Sequence, residues 1–275
     1  MAGTLEPTRV PTALGELAVH ALGAGRPTVL WHALFTDGSS WGYVLPSLLK
    51  GRRLLVVDGP GAGRSARLRR RVPFASAVGA AGELLEALAP RETVDWVGDG
   101  WGGAVGIALA ADRPELVRSL VAIAAPLEPP AGEERRRLRR LLRRLFLLGP
   151  IPPVGPALLD RLVAPEARSD PSSVGVVLDA VLLAGRVSAA RAGSSFLLGQ
   201  PDLTALLPRI DAPTLLVAGG DDPSWGSADV DRAAALAPFA RSAVVPRSRV
   251  LVPVEQPAAL STLIQGFWAS LETPD

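Results

Sequence analysis

The chain has 275 residues, enough for one large domain, or a domain with an insertion, around a continuous hydrophobic core. It has no cysteine, which excludes disulfides, thiolate nucleophiles and thiolate metal sites, and its two histidines, His20 and His32, are too few for a His-rich metal site. The formal charge is only +2 beside a pI near 9.8, because one lysine and one tyrosine leave little to titrate below about pH 10, so no nucleic-acid partner follows.

The N-terminal Met-Ala-Gly-Thr-Leu-Glu-Pro lacks a basic region followed by an apolar run, so no signal peptide is expected. No uncharged apolar stretch reaches about 18 residues, so no membrane span is expected, and a cytoplasmic location is the default. Residues 15–22 alternate as a strand that carries His20 as a structural residue. Residues 28–32 form a short apolar strand, and 33–41 a loop running into a helix. Residues 53–58 are the next buried strand, closed by the glycine-rich turn 59–65. Residues 75–88 read as an amphipathic helix. Two further strands, beginning at Val94 and at Val117, bracket a small-residue helix over 104–111.

The densest signal is Val94-Asp-Trp-Val-Gly-Asp-Gly-Trp-Gly-Gly103, a buried strand, a sharp glycine-rich turn and a helix start. That is the context of an elbow of the form Gly-x-nucleophile-x-Gly, in which small flanks let strand and helix approach closely. Gly98 and Gly102 fit as flanks and put Gly100 at the apex. Making Asp99 the apex would put Val97 and Trp101 at the flanks, which the turn would not accept. The apex therefore has no side chain.

Strands alternating with helices predict an α/β class with a mostly parallel central sheet. The rhythm breaks over residues 127–200, which read as helical and loop-rich and predict a lid between a core of 1–126 and a core of 201–275. The first helix of the insertion sets Leu138, Leu141, Leu142 and Leu145 on one face, with seven arginines from Arg135 to Arg144 around the rest. A solvated face is one reading; an acidic carrier protein or an anionic substrate tail is the other. Strands resume at 213–219 and 242–246, with helices over 228–236 and 256–271.

In this order the motifs resemble those of the α/β-hydrolase superfamily along nearly the whole chain. Leu30-Trp-His-Ala-Leu-Phe35 is similar to the family's His-Gly oxyanion loop, with Ala33 where glycine is usual. Val57-Asp-Gly-Pro-Gly-Ala-Gly-Arg-Ser65 resembles its Asp-x-Pro-Gly turn. Leu215-Leu-Val-Ala-Gly-Gly-Asp-Asp-Pro223 looks like the segment carrying the catalytic acid, at Asp222. Pro246-Arg-Ser-Arg-Val-Leu-Val-Pro-Val-Glu-Gln-Pro257 is similar to the histidine loop. The resemblance places Gly100 at the nucleophile and Val250 at the histidine, so it implies a hydrolase fold without a Ser–His pair to activate water.

What remains is a backbone oxyanion site, from the N–H groups of Leu34 and Trp101, reinforced by the helix dipole. Asp99, Asp222 and His32 are the candidate acids or bases, with Asp37 near them. Asp222 must find another partner, with Arg249 the nearest, or take up a proton. Trp225 joins Gly100, Asp37, Arg249 and Val250 as pocket residues, and Trp31 fits either an aromatic pocket or core packing. The expectation is a cofactor-independent, metal-free enzyme that has left hydrolysis. It would cyclise, eliminate, add to or isomerise a bulky, hydrophobic or aromatic carbonyl compound, as specialised-metabolite pathways use this fold. An inactive homologue that binds a small molecule or a partner protein, and a hydrolase with an unusual site, are the other two classes.

Overall fold

Successive residues of one strand feed two different cores. Leu55 and Val57 pack into the larger hydrophobic cluster, while Leu54 and Val56 pack into the smaller one on the opposite face. A strand covered on both faces reads as a continuous apolar run, and this is why residues 54–57 show no polar alternation.

The computed structural model describes residues 6–272. Most of the N-terminal stretch read as free of a signal peptide lies outside them. The strands are β1 (Thr8–Val10), β2 (Leu17–Gly23), β3 (Arg26–Trp31), β4 (Arg52–Asp58), β5 (Val94–Asp99), β6 (Val117–Ile123), β7 (Thr214–Gly219) and β8 (Ala240–Val245). They form one sheet in the order β1-β2-β4-β3-β5-β6-β7-β8. β1 and β2 are antiparallel to their neighbours, and every pair from β4 to β8 is parallel. β1, a three-residue strand, is the one strand that the sequence pattern did not indicate.

The helices are α1 (Leu45–Leu48), α2 (Phe74–Leu88), α3 (Trp101–Asp112), α4 (Gly132–Leu148), α5 (Val154–Leu162), α6 (Pro171–Ala184), α7 (Arg186–Ala192), α8 (Ser227–Ala234), α9 (Val252–Glu255) and α10 (Pro257–Glu272). α2, α3 and α8 pack on one face of the sheet, through residues such as Leu84, Ile107 and Val230. α1 and α10 cover the other through Leu48, Ile264 and Trp268. α3 is buried at every residue from Trp101 to Ala111, as a helix apolar all round must be.

Between β6 and β7 the described residues form helices and no strand. This segment is tied to the loop between β4 and α2 by hydrogen bonds that its serine side chains accept. Ser188 Oγ accepts from Leu68 N at 3.0 Å, and Ser195 Oγ accepts from Val72 N at 3.0 Å. No single described helix is long and apolar enough to cross a membrane; α6 with residues 186–197 reaches the length only as a pair bent by 104°.

At the end of the sheet away from the β5–α3 turn, Asp95 is fully buried and collects Arg52, Arg118 (3.0 Å) and Ser119 (2.7 Å). Arg52 also lies 3.4 Å over the Trp268 ring, so one guanidinium joins the sheet to α10.

Candidate active site

β5 and α3 meet at Gly100, whose backbone angles are φ 55° and ψ −119°. The flanking glycines are dictated by contact. A Cβ on Gly98 would lie 2.2 Å from the Gly102 carbonyl carbon, and one on Gly102 would lie 2.4 Å from the Trp31 carbonyl oxygen. At Gly100 the nearest atoms to a Cβ would be Ala33 Cβ at 3.4 Å and Val250 Cγ1 at 3.8 Å. Packing alone therefore forbids side chains at the flanks and leaves room at the apex.

That room belongs to a cavity of about 840 Å³ at the C-terminal ends of β3, β5, β6 and β7, where open α/β sheets place their ligands. Leu34, Gly100, Trp101, Trp225 and Val250 all line it, so the structure brings together five of the predicted site residues. Trp101 stacks on Phe196 with ring centroids 4.6 Å apart and planes 10° from parallel. Trp31 is fully buried against Trp96 and takes no part in the wall. Among the described residues no acceptor takes the amide N–H of Leu34 or of Trp101. Phe35 (φ 68°) and Ala124 (φ 43°), both in the wall, hold left-handed backbone that costs side-chain-bearing residues energy.

The ionisable candidates fall differently. His32 is 1% exposed, and Nε2 accepts from Gly59 N at 2.9 Å. Nδ1 is then the protonated nitrogen, 2.6 Å from the Ala33 carbonyl oxygen. Burial pushes its pKa down, against an upward pull from Asp58. Both ring nitrogens are in use, which corrects the expectation of His32 as a base: it pins the loop after β3 to the turn after β4. Asp37 is corrected likewise, because its Oδ1 caps the turn at Ser39 N (2.9 Å) and it is absent from the cavity wall.

Asp99 is fully buried behind the turn, outside the cavity, and neither carboxyl oxygen has a hydrogen-bond partner. Burial drives its pKa well above the usual carboxylate range, with Glu255 and Asp222 adding to the push. The nearby Gly100 amide gives little relief, since it donates to the Ile123 carbonyl at 2.7 Å. Asp99 is thus a buried carboxyl held toward its protonated form and absent from the cavity wall, and its catalytic candidacy falls on that ground.

Asp222 has found a partner other than Arg249. Its Oδ1 accepts from Ser224 N at 2.8 Å and Ser224 Oγ at 2.7 Å, while Oδ2 is buried without a partner. Burial raises its pKa, offset in part by Ser224 and then by Arg161 and Arg249. Arg249 instead donates to the backbone oxygens of Asp221 (3.2 Å) and Asp160, and lines a neighbouring cavity. The three carboxyls of Asp99, Asp222 and Glu255 are all pushed upward, each chiefly by burial.

A family model described as alpha/beta hydrolase fold matches residues 27–246. The chain belongs to the α/β-hydrolase family. A 2-hydroxymuconate semialdehyde hydrolase of Pseudomonas sp. (strain CF600) is 38% identical over 111 residues, which is 38% of this chain and 38% of that enzyme. The match to that relative spans well under half of its length. Among solved structures, a thermophilic esterase from Thermogutta terrifontis superposes with a TM-score of 0.88 at 23% identity, covering 98% of this chain and 100% of that one. A hydrolase from Pseudomonas aeruginosa PA01 superposes with a TM-score of 0.84 at 25% identity, covering 98% and 99%.

Within this α/β-hydrolase frame, the Asp58 turn is structural. Its carboxylate accepts from Gly38 N (2.8 Å) and Arg64 N (2.7 Å), joining the loop after β3 to the turn after β4. Sequence reasoning missed Ser224, which stands in the cavity wall and holds Asp222, although Asp-x-Ser two residues apart is a recognisable side-chain-to-backbone turn. It also missed Glu255, which accepts from Ala164 N (2.6 Å) and Arg249 N (2.9 Å) and so fastens the loop before α9 to residue 164.

Proposed function

We propose that this α/β-hydrolase-fold chain is a cofactor-independent, non-hydrolytic enzyme acting on a bulky, apolar carbonyl compound by cyclisation, elimination, addition or isomerisation. The observation that carries the reading is Gly100 facing Val250 and Ala33 across an intact elbow. A Ser–His mechanism needs a nucleophile and a base there, and neither side chain can serve. The unpaired amides of Leu34 and Trp101 support a site that binds a carbonyl oxygen and gains strength as negative charge develops on it. The α3 N-terminus adds its dipole to that field. Without a side chain at the apex, the substrate itself can occupy the space where a covalent bond would otherwise form.

Proton traffic is assigned to Asp222 acting through Ser224, whose hydroxyl is in the wall and 2.7 Å from the carboxyl. Residues 127–200 act as the lid over the apolar cavity, and the Trp101–Phe196 stack fastens them to the elbow. The strained Phe35 and Ala124 support a site in use, because such backbone persists where surrounding structure is held to a task.

Relatives named as hydrolases make hydrolysis the competing reading. A fluorophosphonate probe and a panel of aryl and alkyl esters separate the two, beside mass-spectrometric screening of aldehydes, ketones and enones for products of unchanged mass, of mass lowered by an eliminated group or of mass raised by an added one. No covalent adduct and no ester turnover, with a carbonyl compound converted, is the expected result. Stoichiometric labelling of an active-site residue would overturn it.

A further inference from the structure

Beside the apex cavity lies a second, more open one of about 600 Å³, and the two share Glu134, Arg161, Pro223 and Ser224 in their walls. One side of the second cavity is a single face of α4 carrying Arg137, Leu138, Arg140, Leu141 and Arg144. Arg161 of α5 and Arg249 complete a set of five guanidinium groups around it. The steps of three and four between 137, 140 and 144 are the spacing of one helix face. All six arginines from 136 to 144 are exposed, but Arg136, Arg139 and Arg143 do not line the cavity.

The carboxylates of this cavity are engaged, apart from the buried Oδ2 of Asp222. Glu134 pairs with Arg161 at 2.9 Å and Asp160 with Arg168 at 2.7 Å. Asp222 is occupied by Ser224. Arg137 and Arg140 share Glu133 with Arg136, at 3.4, 3.0 and 3.0 Å, so one exposed carboxylate serves three arginines. Arg144 has no acidic partner among the described residues. Arg249 is oriented by two backbone oxygens and makes no direct ion pair among the described residues, although Asp222 and Glu255 feel its charge. Guanidinium groups present forks of N–H donors that fit phosphate and carboxylate oxygens. Leu138 and Leu141 run along the same wall and suit an alkyl linker.

We infer that this second cavity binds a phosphate or carboxylate group on the tail of the substrate whose apolar carbonyl-bearing body fills the apex cavity. The assignment of the body rests on the proposed function; the anion site does not. The substrate is then bipartite, with its tail passing the shared rim at Ser224 and Arg161.

The test is direct binding of inorganic pyrophosphate and of citrate to the full chain by titration calorimetry at fixed ionic strength. Wild type is compared with Arg144→Gln, the double variant Arg137→Gln/Arg144→Gln, and the double variant Arg139→Gln/Arg143→Gln, which loses the same charge outside the cavity. Thermal melts confirm that each variant is folded. Arg144→Gln is expected to weaken at least one anion by about tenfold and the cavity double by on the order of a hundredfold, since each loses charge-assisted hydrogen bonds. The outside double should stay within about twofold, because charges that do not line the cavity act on the anion only through screening solvent. Equal losses in the two doubles would reduce the helix to a diffuse positive field and overturn the site. So would no binding of either anion to wild type, or binding confined to an acidic protein. Because no turnover is involved, failure here leaves the carbonyl reaction standing. Intact anion binding beside a failed carbonyl screen removes the reaction and keeps the site.

Discussion

Gly102 sits so close to Trp31 that a Cβ there would come within 2.4 Å of the Trp31 carbonyl oxygen, while a Cβ at Gly100 would stay 3.4 Å from its nearest neighbour. The two glycines of one turn thus answer to different forces. Gly102 is required by the approach of α3 to β3; Gly100 is required only by its own positive φ. Gly102→Ala is expected to cost at least ~3 kcal/mol, because the atom in the way is backbone and cannot rotate aside. Gly100→Ala is expected to cost about 1–3 kcal/mol, the penalty of a side-chain-bearing residue in a sparsely populated backbone region. Urea denaturation of both variants reads the difference, and equal losses would show that the elbow is held by something other than this contact.

The buried acid behind the turn predicts a pH dependence. Burial keeps the folded-state pKa of Asp99 above its unfolded value of about 3.9. Its contribution to stability is therefore fully present below that value. As pH rises, the unfolded chain releases this proton first, so the contribution is lost up to the raised folded pKa. Asn at this position cannot ionise. The melting temperature of Asp99→Asn minus that of wild type should grow more positive between about pH 4 and pH 8. A difference that stays level across this range would mean that the carboxyl ionises in the fold at no cost.

How much of this was legible in the sequence depended on whether a residue acts through the backbone or through a distant partner. The elbow was readable because glycine spacing reports backbone geometry directly: Gly98, Gly100 and Gly102 have the roles their order implies. The strand ends moved by only one or two residues, and β1 escaped because three residues carry too little pattern. The acids were not readable, since Asp37 and Asp99 stand beside motif residues in sequence yet do not line the cavity. His32 lost its candidacy to Gly59, a contact 27 residues away that no spacing encodes. The walls supplied by residues 127–200 were equally hidden, because periodicity marks α4 as amphipathic but cannot say which arginines face a cavity.

Asp95 offers a stability prediction at the other end of the sheet. It is fully buried, with Arg52 only 7% exposed beside it. Asp95→Asn would leave that guanidinium buried without its charge partner, a change that typically costs about 3–5 kcal/mol. The loss should show as a lower urea midpoint with an unchanged slope. A cost under about 1 kcal/mol, the worth of an exposed pair, would mean that Thr28 and the Trp268 ring hold the Arg52 guanidinium well enough without the charge.

Ser224 and Asp222 separate a proton-transfer role from a structural one. Asp222→Asn keeps an oxygen for the Ser224 N–H and Oγ–H but removes the titrating carboxyl. Substrate affinity should stay within a few-fold while turnover falls by 10²-fold or more, in the range attributed to general acid–base groups. Burial raises the pKa of Asp222, so the wild-type rate profile should show a step above the ordinary carboxylate range that the variant lacks. Parallel losses of binding and melting temperature would mark Asp222 as a strut.

The empty apex decides between a working pocket and a relic. If Gly100 is merely what is left of a decayed enzyme, its space has no task, and Gly100→Ser should leave ligand binding alone. If a substrate lies against the Leu34 and Trp101 amides, then Cβ and Oγ at position 100 would enter the cavity where the reacting carbon sits. The fold would survive, because nothing lies within 3.4 Å of that Cβ. Positioning would not, and a displacement of about 1 Å can cost on the order of 10²-fold in rate. The new hydroxyl should gain no esterase activity, since Val250 stands on the facing side and offers no base. Affinity and product formation for Gly100→Ser beside wild type, on whichever carbonyl compound the screen returns, supply the measurement. Unchanged binding and turnover would rule out a substrate packed over the apex and leave the chain as a binding scaffold.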